Sequence, residues 1–316
     1  MVLEKIENIN AYNCLYASVA TLAKYYGREY QMISSGNWTM KYDIETKHKR
    51  IGDKIDVFSS FDVISRTKKF HGFYWEMELF YKHDINKDTG LFKQYTYPFF
   101  VSIDLYHMKW SNSYQKYHSL HYLIICDYDS KSETYRCVDP YFQYSFFEIK
   151  REDLFLSVDR CGRIICLELP TKIHPSDYIN ALKEDYSLLN QNDENYKNIK
   201  LFASDLYTSM DINYEFDVYK REPQMVPIMN KIRKIALCRS AYVCTLIYVY
   251  EKLKYDYLKE SAELLNQSVL LWKTLKGKLL KTYITNSMDQ NRESLVAMIE
   301  KIANIEREVL IILSTY

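Results

Sequence analysis

Two periodicities of apolar residues run through the first 170 residues and predict a mixture of helices and strands. In LYASVATLAKYYG (15–27) the apolar residues recur at helical spacing, and Gly27 can end that helix. SFDVISRTKKFHG (60–72) repeats this pattern and closes on Gly72. REDLFLSVD predicts a short helix. Short runs rich in aromatic and β-branched residues predict strands at FYWEMELF, YPFFVSIDL, HYLIICDYD, TYRCVDP, YSFFEIK and GRIICLELP.

After Pro170 the pattern becomes helical. Pro175 and Ser176 stand in cap-like positions before a helical run, and long amphipathic patterns with almost no glycine extend from about residue 224 to the end. The polar stretch NQNDENYKN (190–198) predicts a loop. We therefore predict an α+β chain with two domains, residues 1–170 with an antiparallel sheet and residues 175–316 entirely helical.

Charge and composition narrow the class of partner. The 316 residues include 42 basic and 41 acidic side chains, so no basic excess is present to neutralise a nucleic acid. Neither a Walker A pattern nor G-x-G-x-x-G occurs. The N-terminus lacks the features of a secretory signal, and the longest apolar stretches are too short to span a bilayer. A cytoplasmic protein with reduced thiols and neither nucleic-acid nor membrane partners is expected.

One of the seven cysteines stands apart from the others. No C-x-x-C occurs, and Cys161 and Cys166 lack a second pair, so a metal site is not expected. Cys14, in contrast, begins a predicted helix directly after the turn-prone Asn13. The positive end of a helix dipole stabilises a thiolate, and a neighbouring imidazolium does so further. This position favours a nucleophile. The structural alternative is that Cys14, like many single cysteines, is a small buried residue that only packs in the core.

A histidine and an aspartate on successive predicted strands are the candidate partners of this thiol. His121 opens HYLIICDYD, and Asp139 ends the next strand. If the strands pair through the polar turn between them, residues whose numbers sum to about 260 face each other, which sets His121 opposite Asp139. Asp139 could then orient the imidazole. His118 is the alternative base, expected to face the other side of the strand. A satisfied histidine at a strand edge, and an Asp that shapes a turn before Pro140, are the structural alternatives.

These segments resemble a known family. NCLYASVATLAKYYG followed by SSGNW, together with HYLIICDYD and YRCVDP, is similar to the N-terminal region of the butirosin-biosynthesis protein H family, a branch of the papain-like C39 peptidase fold used for acyl transfer. The resemblance covers about the first 170 residues. It implies a papain-like N-terminal domain with Cys14 as nucleophile, His121 as general base and acid, and Asp139 as the orienting residue.

The resemblance also points to two asparagines. Peptidases of this fold carry a Gln six residues before the Cys, where its amide helps to bind the oxyanion; here Asn8 stands at that position. Asn13 replaces the acidic residue or histidine found in relatives. Asn8 and Asn13 are therefore oxyanion or substrate-binding candidates, beside the Cys14 backbone N–H at the helix start.

The function implied by the family is amide formation. An acyl group would pass from the phosphopantetheine thioester of a carrier protein, or from CoA, through Cys14 to a small-molecule amine, without a cofactor bound to the enzyme itself. A C39-type peptidase that trims a leader peptide and a non-catalytic binding protein are the alternatives. The helical domain would hold the carrier protein or the acceptor, or form a homodimer. A basic cluster there is either a solvated helix face or a contact for an acidic carrier protein; its members are Lys231, Arg233, Lys234 and Arg239.

Overall fold

The computed structural model describes residues 3–36, 38–45, 50–57, 63–79, 92, 95–170, 172–189, 193–219 and 222–315. In this part of the chain, antiparallel sheets are followed by a helical C-terminal region, so the predicted α+β class is confirmed.

The helices follow the periodic segments of the sequence. In chain order they are α1 (Cys14–Tyr25), α2 (Ile51–Lys54), α3 (Val63–His71), α4 (Arg151–Ser157), α5 (Pro175–Leu189), α6 (Glu194–Thr208), α7 (Ile212–Phe216), α8 (Pro227–Leu253), α9 (Asp256–Ile284) and α10 (Met288–Thr315). The strands are β1 (Lys41–Tyr42), β2 (Ile55–Asp56), β3 (Phe73–Leu79), β4 (Phe99–Asp104), β5 (Leu120–Asp129), β6 (Thr134–Asp139), β7 (Gln143–Lys150) and β8 (Val158–Cys166).

The chain divides into two compact units. The first unit comprises Met1–Ile33 and Val63–Lys172, and the second comprises Ser34–Asp62 and Ile173–Tyr316. The predicted N-terminal domain, residues 1–170, includes the whole of 34–62. Its buried residues Met40, Tyr42, Ile51 and Ile55 instead belong to the apolar core of the helical unit, and they cannot be separated from that core without exposing apolar surface.

The first unit is built on one antiparallel sheet whose described strands run in the order β3-β8-β4-β5-β6-β7. One face of this sheet carries an apolar core that includes Val101, Leu123, Ile125 and Cys137. Helix α1 contacts β4, β5 and β8, and its buried stripe runs through Ala17 to Ala23. Gly27 follows the helix with a φ of +69°, which a residue without Cβ adopts readily.

The second unit is a bundle of long helices, in which α8 and α9, α9 and α10, and α6 and α10 pack in pairs. Lys254, in a left-handed conformation, separates α8 from α9 within a stretch whose sequence reads as continuously helical. The loop predicted for 190–198 is wrong from Glu194 onward, because α6 begins there; residues 190–192 lie outside the described part. In the described ranges, no helix combines the length and apolar character needed to cross a membrane.

The proposed basic cluster on α8 does not form one surface. Arg239 is fully buried and pairs with Glu306 on α10, and Lys231 lies 3.7 Å from the Asp56 carboxylate. Arg233 and Lys234 are exposed. All four cations are on one helix in the sequence. Because this helix packs against several neighbours, one of the four, Arg239, lies on a face that is buried in the core.

Candidate active site

Cys14 is the first residue of α1, at the end where the helix leaves its backbone N–H groups unpaired. The Asn13 side-chain oxygen accepts a hydrogen bond from the backbone N–H of Tyr16 at 2.9 Å, so Asn13 is the N-cap. This cap fixes the direction of the first turn and hence the position of the sulfur. The Asn13 oxygen is used in capping; a substrate-binding role for this residue stays a prediction.

His121 and Asp139 form a buried pair. The Nε2 atom of His121 lies 2.7 Å from the Oδ2 atom of Asp139, and the two side chains are only 4% and 1% exposed. His121 belongs to β5, and Asp139 is the last residue of β6. The positions of His121 and Asp139 at predicted strand ends indicate this pair, and the structure brings the two side chains together.

The strand register that led to this pair was nevertheless wrong. Near the turn, Asp129 pairs with Thr134, and after a bulge at Cys126 the pairs are Ile125 with Cys137 and Ile124 with Val138. Partner numbers therefore sum to 263 and then 262, rather than 260. The shift of two residues sets Asp139 diagonally from His121. Because side chains on a strand alternate with a period of two, both remain on the same face and within reach of each other.

The Cys14 thiol completes a row with this pair. Its sulfur faces the His121 imidazole closely enough for the ring to lower the pKa of the thiol; since Nε2 is engaged by Asp139, Nδ1 is the nitrogen left for the sulfur. Burial alone raises the pKa of Cys14, but the hydrogen bond and the charge of His121, with the backbone N–H groups of Tyr122 and Leu15, lower it below the ordinary value.

The pKa of His121 shifts in the opposite direction to that of Cys14. Burial alone lowers the pKa of His121, but hydrogen bonds to Asp139 and Cys14 and the charges of both groups raise it to about 9. A lowered thiol pKa beside a raised imidazole pKa enlarges the fraction of the pair that is held as thiolate and imidazolium. This is the reactive form of a cysteine nucleophile.

Asp139 holds the imidazole and shapes a turn at the same time. Its Oδ2 atom faces His121, while Oδ1 accepts hydrogen bonds from the backbone N–H groups of Tyr141 and Phe142 at 3.0 and 3.1 Å. The two interpretations of Asp139, as a residue that shapes the turn before Pro140 and as the residue that orients the imidazole, are therefore compatible. The same turn stacks the Phe142 ring on the His121 ring, with centroids 4.9 Å apart.

Aromatic residues surround the imidazole, and sequence reasoning did not identify them as part of the site. Besides Phe142, the rings of Trp110 and Tyr141 meet His121 edge-on, at centroid distances of 6.3 and 6.0 Å. Trp110 is 40% exposed and Phe142 is 61% exposed, so apolar surface borders the site. The position of Phe142 three residues after Asp139 was the one available signal, because an Asp turn holds the following residues close.

Asn8 is not brought into the row. It is exposed, has a φ of 53°, and makes no side-chain capping bond at the short 3-10 helix that follows it. Its substrate-binding role stays a prediction. His118, the alternative base, precedes β5 and pairs through Nδ1 with Asp104 at 2.5 Å. Asp104 was not singled out from the sequence, because only the pairing of β4 with β5 brings it near His118.

Three other thiols of the first unit differ from Cys14. Cys126, Cys137 and Cys161 are buried, and burial raises the pKa of each thiol, to about 12 for Cys126. These cysteines are packing residues. In the described ranges, no group of three or more His, Cys, Asp or Glu side chains is arranged to hold a metal ion.

We expect Cys14 to be alkylated by iodoacetamide ahead of the buried thiols, because the pKa of its thiol is lowered whereas theirs are raised. The pH at half-maximal alkylation should lie below the ordinary thiol value of about 8.5 and return toward it in His121→Gln. Peptide mapping of the labelled protein over a pH series measures both. An unchanged midpoint in His121→Gln would contradict the ion pair.

Comparison of the chain with protein-family models and with curated proteins found no match.

Proposed function

We propose that this chain is a cysteine-dependent acyltransferase, with a papain-like first unit, that forms an amide in natural-product biosynthesis. The observation that carries the proposal is the row of Cys14, His121 and Asp139 at a helix start and two strand ends, in which His121 is hydrogen-bonded to Asp139 and lowers the pKa of the Cys14 thiol. A nucleophile, a base and a group that orients the base are the parts that covalent acyl transfer needs. The likeness of the surrounding segments to a family of acyltransferases selects the reaction.

In the first step the Cys14 thiolate attacks the carbonyl carbon of a thioester, carried by the phosphopantetheine arm of a carrier protein or by CoA. The His121 imidazolium gives its proton to the departing thiolate as the carbon–sulfur bond of the donor breaks. The products are an acyl group on Cys14, a free donor thiol and a neutral His121. The Cys14 backbone N–H at the helix start is the candidate donor to the oxyanion.

In the second step the amine acceptor attacks the acyl carbon. As the carbon–sulfur bond to Cys14 breaks, the proton of the new amide nitrogen passes to His121, which restores the thiolate and imidazolium. Asp139 keeps the ring in position throughout, because its two oxygens are held by the ring and by the turn. In this proposal the apolar surface that the aromatic rings form beside His121 disfavours water at the acyl carbon relative to an amine.

We further propose a cytoplasmic compartment for the protein and a binding partner for its helical unit. A cytoplasmic, reducing compartment suits seven free cysteines. The helical unit would hold the carrier protein or the acceptor, or a second copy of the chain. No cofactor resident in the enzyme enters either step, since the donor brings the phosphopantetheine group with it.

Intact-protein mass spectrometry tests the proposal. After incubation with acyl-carrier-protein or acyl-CoA thioesters, we expect a stoichiometric acyl adduct that Cys14→Ala abolishes. Cys166→Ala is the matched control, because Cys166 is an exposed thiol outside the row, and it should be acylated like the wild type. Release of the adduct by amines faster than by water supports the transferase.

The other outcomes identify the alternatives. An adduct released only by water makes the protein a hydrolase, and cleavage of peptides without acylation by thioesters makes it a peptidase of the C39 type. Absence of both activities, with Cys14→Ala indistinguishable from the wild type in every assay, leaves a binding protein.

A further inference from the structure

A second pair of histidine and aspartate lies near the first. The Nδ1 atom of His118 is 2.5 Å from the Oδ2 atom of Asp104, and the His118 side chain is 72% exposed. Within the described residues the other ring nitrogen, Nε2, has no hydrogen-bond partner. This imidazole is thus oriented by a carboxylate and presents its second nitrogen to solvent.

The two pairs are built in the same way. The Oδ1 atom of Asp104 accepts hydrogen bonds from the backbone N–H groups of Tyr106 and Ser119, at 3.0 and 3.1 Å, as that of Asp139 does from its own turn. The Tyr106 ring stacks on His118 with centroids 4.4 Å apart. Burial raises the pKa of Asp104, but the bonds to His118, Tyr106 and Ser119 lower it overall. Asp104 is therefore a fixed, ionised partner for the ring.

The strand register sets this pair beside the active-site row. Asp104 pairs with Leu120, and the next pair along β4 and β5 is Ile103 with His121. Asp104 shares its face of the sheet with Ser102 and with the partner of Ser102, Tyr122. The backbone N–H of Tyr122 is among the groups that lower the pKa of the Cys14 thiol, so Cys14 lies at this part of β5. Asp104, the partner of the exposed His118 imidazole, therefore lies at the same sheet end as His121, one residue pair away and on the opposite face.

We propose that His118 is a second base, which removes a proton from the ammonium form of the acceptor before the amine attacks the acyl group on Cys14. The inference rests on the proposed function and deepens it, since it makes the acceptor a basic alkylamine. Such amines have pKa values near 10 and arrive protonated, without the lone pair that the attack needs. His121 takes a proton only later, when the tetrahedral intermediate collapses.

The protons balance in this scheme. His118 takes one proton from the ammonium at Nε2 and releases it to water, for which its exposure is suited. The neutral amine then attacks the acyl carbon, the carbon–sulfur bond to Cys14 breaks, and the second amine proton passes to His121. Imidazole is the side chain that exchanges protons most readily near neutral pH, and Asp104 orients it for this exchange.

Release of the isolated acyl-enzyme by two nucleophiles tests the inference. Ethanolamine is an ammonium ion at neutral pH, whereas hydroxylamine is uncharged. We expect His118→Gln to acylate Cys14 at the wild-type rate and to lose about 100-fold in release by ethanolamine, the lower range for general-base catalysis. Release by hydroxylamine should be unchanged. Asp104→Asn, which keeps an oxygen for the turn but removes the charge, should lower release by ethanolamine to a smaller extent and leave release by hydroxylamine unchanged.

His107→Gln is the matched control, because this imidazole also contacts Tyr106, edge-on at 5.2 Å, and belongs to neither pair. It should release the acyl group at the wild-type rate with both nucleophiles. If His118→Gln lowers both release rates equally, or neither, His118 is not a base for the acceptor and the inference is overturned. If the wild-type protein forms no adduct on Cys14, the proposed function fails first and the inference fails with it.

Discussion

Substitution of His121 by alanine is expected to lower the rate of Cys14 acylation by about 10⁴-fold at neutral pH. Two losses combine in this variant. Without the imidazolium the thiol returns toward its ordinary pKa, where only a few per cent is thiolate. Loss of the acid and base removes a further factor of about 10² to 10⁴. Single-turnover acylation, followed by quenched-flow mass spectrometry, gives the rate directly.

The control for this prediction is His107→Ala, which removes a half-buried imidazole of the same unit and should acylate normally. Asp139→Ala should fall between the two, because the ring stays bonded to Cys14 but loses the carboxylate that orients it. If His121→Ala acylates within a factor of ten of the wild type, the row is not the catalytic machinery.

Glu306→Ala is expected to produce the largest loss of stability. The Glu306 carboxylate is fully buried and accepts hydrogen bonds from four side chains, those of Asn195, Arg239, Ser268 and Trp272. Burial raises the pKa of Glu306, but the charge and bonds of Arg239, with Ser268 and Trp272, lower it below the usual range. Removing the carboxylate leaves a buried guanidinium without its counter-charge, which costs about 3–5 kcal/mol in the free energy of unfolding.

Urea unfolding followed by circular dichroism measures this loss. Glu300→Ala is the matched control on the same helix, because the pair of Glu300 with Lys200 is about 40% exposed and exposed pairs contribute about 0–1 kcal/mol. The double variant Arg239→Met/Glu306→Leu should recover part of the loss, since it leaves no unpaired charge. A Glu306→Ala protein as stable as Glu300→Ala would show that the pair does not hold the bundle together.

Local sequence patterns were sufficient to predict features that depend on residues close together in the chain. The helix that begins at Cys14 and the strand that ends at Asp139 follow from periodicity and turn residues, and both were predicted. His121 and Asp139 are in contact although the predicted register was wrong, because a shift of two residues leaves a side chain on the same face of its strand. An error of one residue would have separated them.

Contacts between residues that lie far apart in the chain could not be predicted from local sequence patterns. Asp104 gains its role beside His118 from the pairing of β4 with β5, and Arg239 looked like a surface cation until α10 supplied Glu306. Residues 34–62 joined the helical unit because their apolar side chains fit its core. In each case the deciding partner lies far along the chain.

By itself, the sequence determined the α+β class, the helix start at Cys14 and the three residues of the candidate row, because local periodicity and the chemistry of single side chains encode them. Tertiary structure alone decided the pKa shifts of Cys14 and His121, the aromatic surroundings of His121 and the second imidazole–carboxylate pair. Burial, distance and charge act through space, and these quantities arise only when remote segments pack together.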